Sequence, residues 1–227
     1  QKEFGLSTSI KFERVGFYYP QGDKPILKGA NLDCPLGQIT VLIGPSGAGK
    51  TTVLDLLCGL YSPTSGKILV DDCDLSTIDL NSWRRAIGYV EQDSVLFHDT
   101  VGVNVSLNDH SIKNRDIEIA LQGAGALEFV SNLPDKLDTI IGEKGVLLSG
   151  GQRQRITIAR ALARKPRILL LDEATTALDP DTEKEIIETL QVLRKEMTVF
   201  AISHQPQIAQ LADRVYRLDD GILERIH

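Results

Sequence analysis

The chain has 227 residues, 42% of them hydrophobic and 25% charged, with a formal charge of −6 and a single tryptophan. That length supports one sizeable core with room for subdomains, and argues against several independent domains. The acidic balance argues against a surface built for nucleic acid, which shows as a basic excess. No stretch reaches the ~20 apolar residues that cross a bilayer, and nothing at the start reads as a signal peptide.

In chain order, Gln1 stands where an initiator Met would, so the sequence reads as a piece of a longer polypeptide. Ser9 to Phe17 alternates apolar and polar residues, the pattern of a strand. Pro20-Gln21-Gly22-Asp23 is a turn, and Ile26 to Asp33 resumes strand character. Gln38 to Ile43 is short, β-branched and nearly all apolar, as a strand covered on both faces must be. A glycine-rich turn and a helix carrying Val53, Leu54, Leu56 and Leu57 follow. From Asp93 to Lys165 the periodicity is helical, with Ile117, Ala120, Leu121 and Ala124 on one face. Arg167 to Leu171 and Thr198 to Ile202 read as two further buried strands, and Val215 to Ile226 as a hairpin around Asp219-Asp220-Gly221. Strands alternating with helices predict an α/β fold with a mostly parallel sheet between helices. The early and late hairpin-like segments predict an added antiparallel layer. Cys34, Cys58 and Cys73 lack C-x-x-C spacing and a nearby histidine cluster, which fits free thiols in or near the core in a reducing compartment.

The run Gly44-Pro45-Ser46-Gly47-Ala48-Gly49-Lys50-Thr51 fits G-x-x-x-x-G-K-[ST] and lies between a buried strand and a helix. Its glycines let backbone N–H groups close on phosphate oxygens, and the helix N-terminus adds partial positive charge. Lys50 is expected on the β- and γ-phosphates and Thr51 in a Mg²⁺ shell, with Thr52 continuing the nucleotide-binding run. The Ile168 to Leu171 strand ends in Asp172-Glu173, at the carboxyl edge where parallel sheets bind ligands. Asp172 is the expected Mg²⁺ contact, and Glu173 the base that takes the proton of an attacking water.

Leu148-Ser149-Gly150-Gly151-Gln152, followed by Arg153-Gln154-Arg155 and an alanine-rich helix, resembles the signature of the ABC ATPase family. Its distance to Asp172, twenty positions after Gln152, also resembles the family's spacing. The resemblance extends from Ile10 to about Glu224. It implies the P-loop NTPase core, an antiparallel β layer and a helical signature subdomain over 93–165, with 1–92 and 166–227 forming the nucleotide-binding core.

The resemblance also implies that Ser149, Gly150, Gly151 and Gln152 contact ATP held by the phosphate loop of a second copy, so that two chains close head to tail. Within Val15 to Pro20 it favours Tyr19 as the aromatic that stacks on adenine, with Tyr18 the competitor. Gln92 matches the glutamine that touches Mg²⁺ or the lytic water, His204 the histidine on the γ-phosphate, and Asp179 of Thr176-Ala177-Leu178-Asp179 a bridge between subunits. Thr139 to Gly145, with Glu143, and Ser82-Trp83-Arg84-Arg85 followed by Ile87-Gly88-Tyr89-Val90 resemble export-type members. Glu91, Gln205 and Asp72 depart from the common exporter pattern and leave the subfamily open.

The implied function is an ATP-binding and ATP-hydrolysing motor that couples dimerisation and hydrolysis to transport across a membrane. ATP and Mg²⁺ are its implied cofactors, and Lys50, Gln92, Glu173 and His204 its catalytic residues. Its implied partners are a second ATPase domain and a transmembrane domain fused N-terminally, and its implied location is the cytoplasmic face of a membrane. A non-transport ABC switch and a separate importer subunit are the alternatives.

Overall fold

The computed structural model of the chain describes residues 8–22, 24–93, 95–142, 147–174, 180–194 and 197–227. The order begins β1 (Ser9–Phe17), β2 (Leu27–Pro35), β3 (Ile39–Ile43), α1 (Lys50–Leu57), β4 (Ser65–Val70), β5 (Cys73–Asp74), α2 (Leu80–Arg85) and β6 (Ile87–Val90). It continues with α3 (Val101–Ser106), α4 (Asn114–Gly123), α5 (Leu127–Ser131), α6 (Gly150–Leu162), β7 (Ile168–Asp172), α7 (Pro180–Leu193), β8 (Thr198–Ile202), α8 (Pro206–Leu211), β9 (Arg214–Asp219) and β10 (Ile222–Arg225).

Two sheets result. A six-stranded sheet has the order β10-β9-β3-β8-β7-β6, with only the β9–β10 pair antiparallel. A four-stranded antiparallel sheet has the order β2-β1-β4-β5. The expected antiparallel layer is therefore present, but the late hairpin is not part of it. Arg214 to Arg217 of β9 pair in parallel with Thr40 to Ile43 of β3, which carries the hairpin into the larger sheet. The layer is completed instead by β4 and β5, whose turn places Asp71 and Asp72 at φ 50° and 67°. Aspartate tolerates that left-handed backbone better than most residues.

The strict alternation of side chains along a strand divides the core in two. Ile39 and Val41 of β3, Leu169 and Leu171 of β7, and Val199 and Ala201 of β8 face a layer built from α3, α4, α6 and α7. Leu42, Ile168, Leu170, Phe200 and Ile202 face the other way, against α1, Trp83 of α2 and the antiparallel sheet. Burial on both faces explains the unbroken apolar runs of β7 and β8. Trp83 is fully enclosed and donates its indole N–H to the Leu57 carbonyl at 2.7 Å, pinning α2 to the end of α1.

Cys34 and Cys58 are buried, and burial pushes both thiols up to about 12, so they are unreactive at neutral pH. Cys73 is exposed, against expectation, because it begins the short edge strand β5. Among the described residues no helix is long and apolar enough to cross a membrane.

Candidate active site

Four adjacent parallel strands, β3, β8, β7 and β6, end on one edge of the six-stranded sheet. Gly44 follows β3, Ser203 and His204 follow β8, Asp172 closes β7 with Glu173 behind it, and Glu91 and Gln92 follow β6. The motifs separated by up to 160 positions in sequence thus converge by topology alone.

The loop from Gly44 to Gly49 turns β3 into α1 through three glycines at positive φ. A Cβ on Gly44 would lie 2.3 Å from the Leu218 carbonyl oxygen, and one on Gly49, at φ 99°, 2.4 Å from Cγ2 of Ile26. Only glycine fits against the neighbouring chain at those two points. Gly49 is also the N-cap of α1, and among the described residues no side chain caps that helix end. The first-turn amides of α1 are therefore free of a side-chain acceptor and suited to an anion. Lys50, 5% exposed, donates to the carbonyls of Gly44 and Pro45 at 3.0 Å each and lies 3.5 Å from Oε1 of Glu173. A cavity of about 460 Å³ opens beside the loop, bounded in part by Gly44, Pro45, His204 and Arg217. A larger one, of about 670 Å³ among α3, α4 and α5, contains none of the residues expected at the site.

Glu173 has φ 47°, a left-handed conformation that costs a non-glycine residue about 1–2 kcal/mol. Its amide donates to the Ile202 carbonyl at 3.1 Å, which fixes the turn. The turn aims the carboxylate at three partners. Oε1 faces Lys50 and lies 3.1 Å from Nε2 of His204, while Oε2 faces Nε2 of Gln92 at 3.5 Å. Lys50, Gln92, Glu173 and His204 thus form one contact network.

Asp172 is 8% exposed, and its strand parity puts it on the α1 face of the sheet. Burial pushes its carboxyl above the ordinary 3.8, while hydrogen bonds from Thr51 and Tyr89 pull it partway back. Tyr89 donates its hydroxyl to Oδ2 of Asp172 at 3.3 Å. Sequence reading places this tyrosine in an export-type segment but assigns it no role, since nothing in its spacing distinguishes it from a core aromatic. The donor set of Thr51 hydroxyl, Asp172 carboxylate and Gln92 amide is all hard oxygen or amide, as Mg²⁺ requires. No group of three or more His, Cys, Asp or Glu suited to a metal occurs among the described residues. A hydroxyl, a carboxylate and an amide oxygen are hard donors of the kind that hold Mg²⁺ together with phosphate oxygens and water, and on that chemistry the residues present fit it.

At the other side of α1, Tyr19 places its hydroxyl 2.9 Å from Oγ1 of Thr52. Its ring meets Phe17 and Tyr61 edge to face, at centroid distances of 5.1 and 5.3 Å. Tyr18, the competitor, is 51% exposed. Tyr61 is a second aromatic at this corner that the sequence reading did not single out.

Ser149 is the N-cap of α6 and forms a capping box with Gln152. The Ser149 hydroxyl accepts from the Gln152 amide at 3.2 Å, and Oε1 of Gln152 accepts from the Ser149 amide at 3.0 Å. Ser149 and Gly150 are exposed. Among the described residues, no hydrogen bond or ion pair joins Ser149, Gly150, Gly151 or Gln152 to the phosphate loop. Asp179, with Thr176 to Leu178, and Glu143 to Gly145 lie outside the described residues.

Comparison with known proteins matches residues 27–176 to the family described as "ABC transporter". The chain is 43% identical to an ATP-dependent lipid A-core flippase of Nitrosococcus oceani over 219 residues, 96% of this chain and 37% of that protein. It is 40% identical to an ATM1-type heavy metal exporter of Novosphingobium aromaticivorans, across 95% of this chain and 35% of the relative. It is also 40% identical to ATP-binding cassette sub-family B member 5 of Mus musculus, covering 96% and 18% respectively. The solved structure of a bacterial Atm1-family ABC exporter with ATP bound superimposes with a TM-score of 0.88 at 38% identity, over 97% of this chain and 39% of that one. The chain therefore spans well under half the length of these relatives.

Proposed function

The chain belongs to the ABC transporter family, and from that premise we propose that it is the ATP-hydrolysing motor of an exporter, working on the cytoplasmic face of a membrane. Its mixed α/β architecture is the ABC ATPase fold. The observation that carries the reading is the convergence on Glu173 of Lys50, Gln92 and His204 at the edge where the phosphate loop ends.

In this reading the phosphate loop amides and Lys50 hold the β- and γ-phosphates, and Tyr19 stacks on the adenine. Thr51, Asp172 and Gln92 hold Mg²⁺, which when bound neutralises charge on the phosphate oxygens. Glu173 accepts a proton from the attacking water, and His204 and Gln92 fix the carboxylate that receives it. Lys50 exchanges its loop carbonyls for phosphate oxygens.

The exposed Ser149 cap, with Gly150 and Gly151, completes the pocket of a second copy, and Asp179 bridges the two chains. Residues 93–165 act as the helical subdomain and 1–92 with 166–227 as the core. A transmembrane domain, fused N-terminal to this segment, converts closure and reopening of the pair into movement of a substrate.

The test is phosphate release from Mg-ATP at increasing chain concentration. A composite site makes specific activity rise with concentration as pairs form. Absence of release, or specific activity independent of concentration in a monomeric chain, overturns the proposal.

A further inference from the structure

We infer that Tyr89 is a positioning residue for Asp172, holding the carboxylate in the orientation that receives the cation of a bound nucleotide. The inference rests on the assignment of Thr51 and Asp172 to that cation. In the parallel β6–β7 ladder Tyr89 is level with Leu170, so Asp172 lies two positions further on. Side chains two apart on one strand share a face, which places Tyr89 and Asp172 on the α1 side together. A diagonal neighbour in a sheet is within reach only of a long side chain. Tyrosine spans the gap and carries a donor at its tip, and the hydroxyl reaches Oδ2 at 3.3 Å.

Thr51, the second residue of α1, is the other side chain that favours the charged form of Asp172. A phenylalanine at position 89 fills nearly the same space and leaves Oδ2 with one donor fewer. The same strand end supplies Gln92, three positions later, to Glu173. One segment of chain therefore hands a donor to each of two consecutive carboxylates, and Tyr89 does for Asp172 what Gln92 does for Glu173.

The test is calorimetry of a non-hydrolysable ATP analogue binding to the whole 227-residue chain, native and Y89F, over a range of Mg²⁺ concentrations and in EDTA. The native chain binds more tightly with Mg²⁺ than in EDTA. If it does not, the assignment of Thr51 and Asp172 fails and the inference falls with it. Given that difference, Y89F needs about tenfold more Mg²⁺ for half-maximal enhancement, the scale of one hydrogen bond to a charged acceptor. Its affinity in EDTA stays at the native value, and its melting temperature falls by no more than the loss of that one hydrogen bond allows. Y89M, which keeps the bulk and lacks the donor, gives the same displacement and serves should Y89F fold poorly. An unchanged Mg²⁺ requirement in a folded variant, or an equal loss with Mg²⁺ and in EDTA, overturns the inference.

Discussion

Nε2 of His204 lies 3.1 Å from Oε1 of Glu173, the same oxygen that Lys50 approaches at 3.5 Å. One nitrogen from the start of α1, one from beyond β8 and a third, that of Gln92, from beyond β6 surround the carboxylate. Glu173→Gln keeps the shape and the hydrogen-bonding capacity and removes the basicity. Turnover is expected to fall at least about 100-fold, within the usual range for a general base, while ATP affinity changes by a few-fold at most. Single-turnover phosphate release and size-exclusion chromatography with ATP check this, the variant eluting as a trapped pair. A near-native rate places the base elsewhere.

The corner where Tyr19 meets Thr52 distinguishes the two candidate tyrosines. Tyr19→Ala is expected to weaken ATP binding about tenfold, in line with the ~1–3 kcal/mol of base-aromatic stacking. Tyr19→Phe retains the ring and stays close to native, and Tyr18→Ala has no effect. Equilibrium binding of ATP against a triphosphate without a purine measures the difference. Equal losses at both tyrosines rule out stacking by Tyr19 alone.

Ser149 already has a local role, as the cap of α6, so alanine there confounds two effects. Ser149→Ala is expected to cost about 1 kcal/mol of stability and to weaken ATP-driven pairing. Aspartate also caps helices, so Ser149→Asp keeps the melting temperature while setting a negative charge against the partner's phosphates. Loss of pairing in S149D, by analytical ultracentrifugation with ATP, assigns the role across the interface. Normal pairing restricts Ser149 to capping.

Asp172 predicts a pH dependence whose sign follows from burial. Its folded pKa is raised above 3.8, so the folded chain holds the proton more firmly than the unfolded chain does. The stability this proton contributes is fully present below the unfolded value and is lost as pH rises through the folded one. At neutral pH Asp172→Asn is therefore expected to raise the melting temperature without nucleotide. The gap should close as pH falls through that window, as read by Trp83 fluorescence in thermal melts. A constant gap at every pH removes burial as the cause.

Much of this was legible in the sequence, for reasons that differ by element. The loop from Gly44 to Thr51 and the strand ending in Asp172-Glu173 are short-range patterns whose chemistry requires those residues in that order. The buried strands β3, β7 and β8 show as unbroken apolar runs. By contrast Ser65–Val70 and Ile87–Val90 were not separated as strands. The first starts Ser-Gly-Lys with three exposed residues, and the second is four residues long with a glycine inside. The destination of the final hairpin was misread because β9 finds its partner in β3, more than 170 positions earlier. No role for Tyr89 is legible in the sequence, because a diagonal across a ladder is not contained in the periodicity of one strand.

Gly88, beside Tyr89, has no side chain, and a Cβ there would fall 2.8 Å from the carbonyl oxygen of Ala161 near the end of α6. Main chain therefore presses on main chain, with no rotamer between them to give way. Any side chain at position 88 would have to push the end of α6 away from the strand that carries Tyr89 and leads to Gln92.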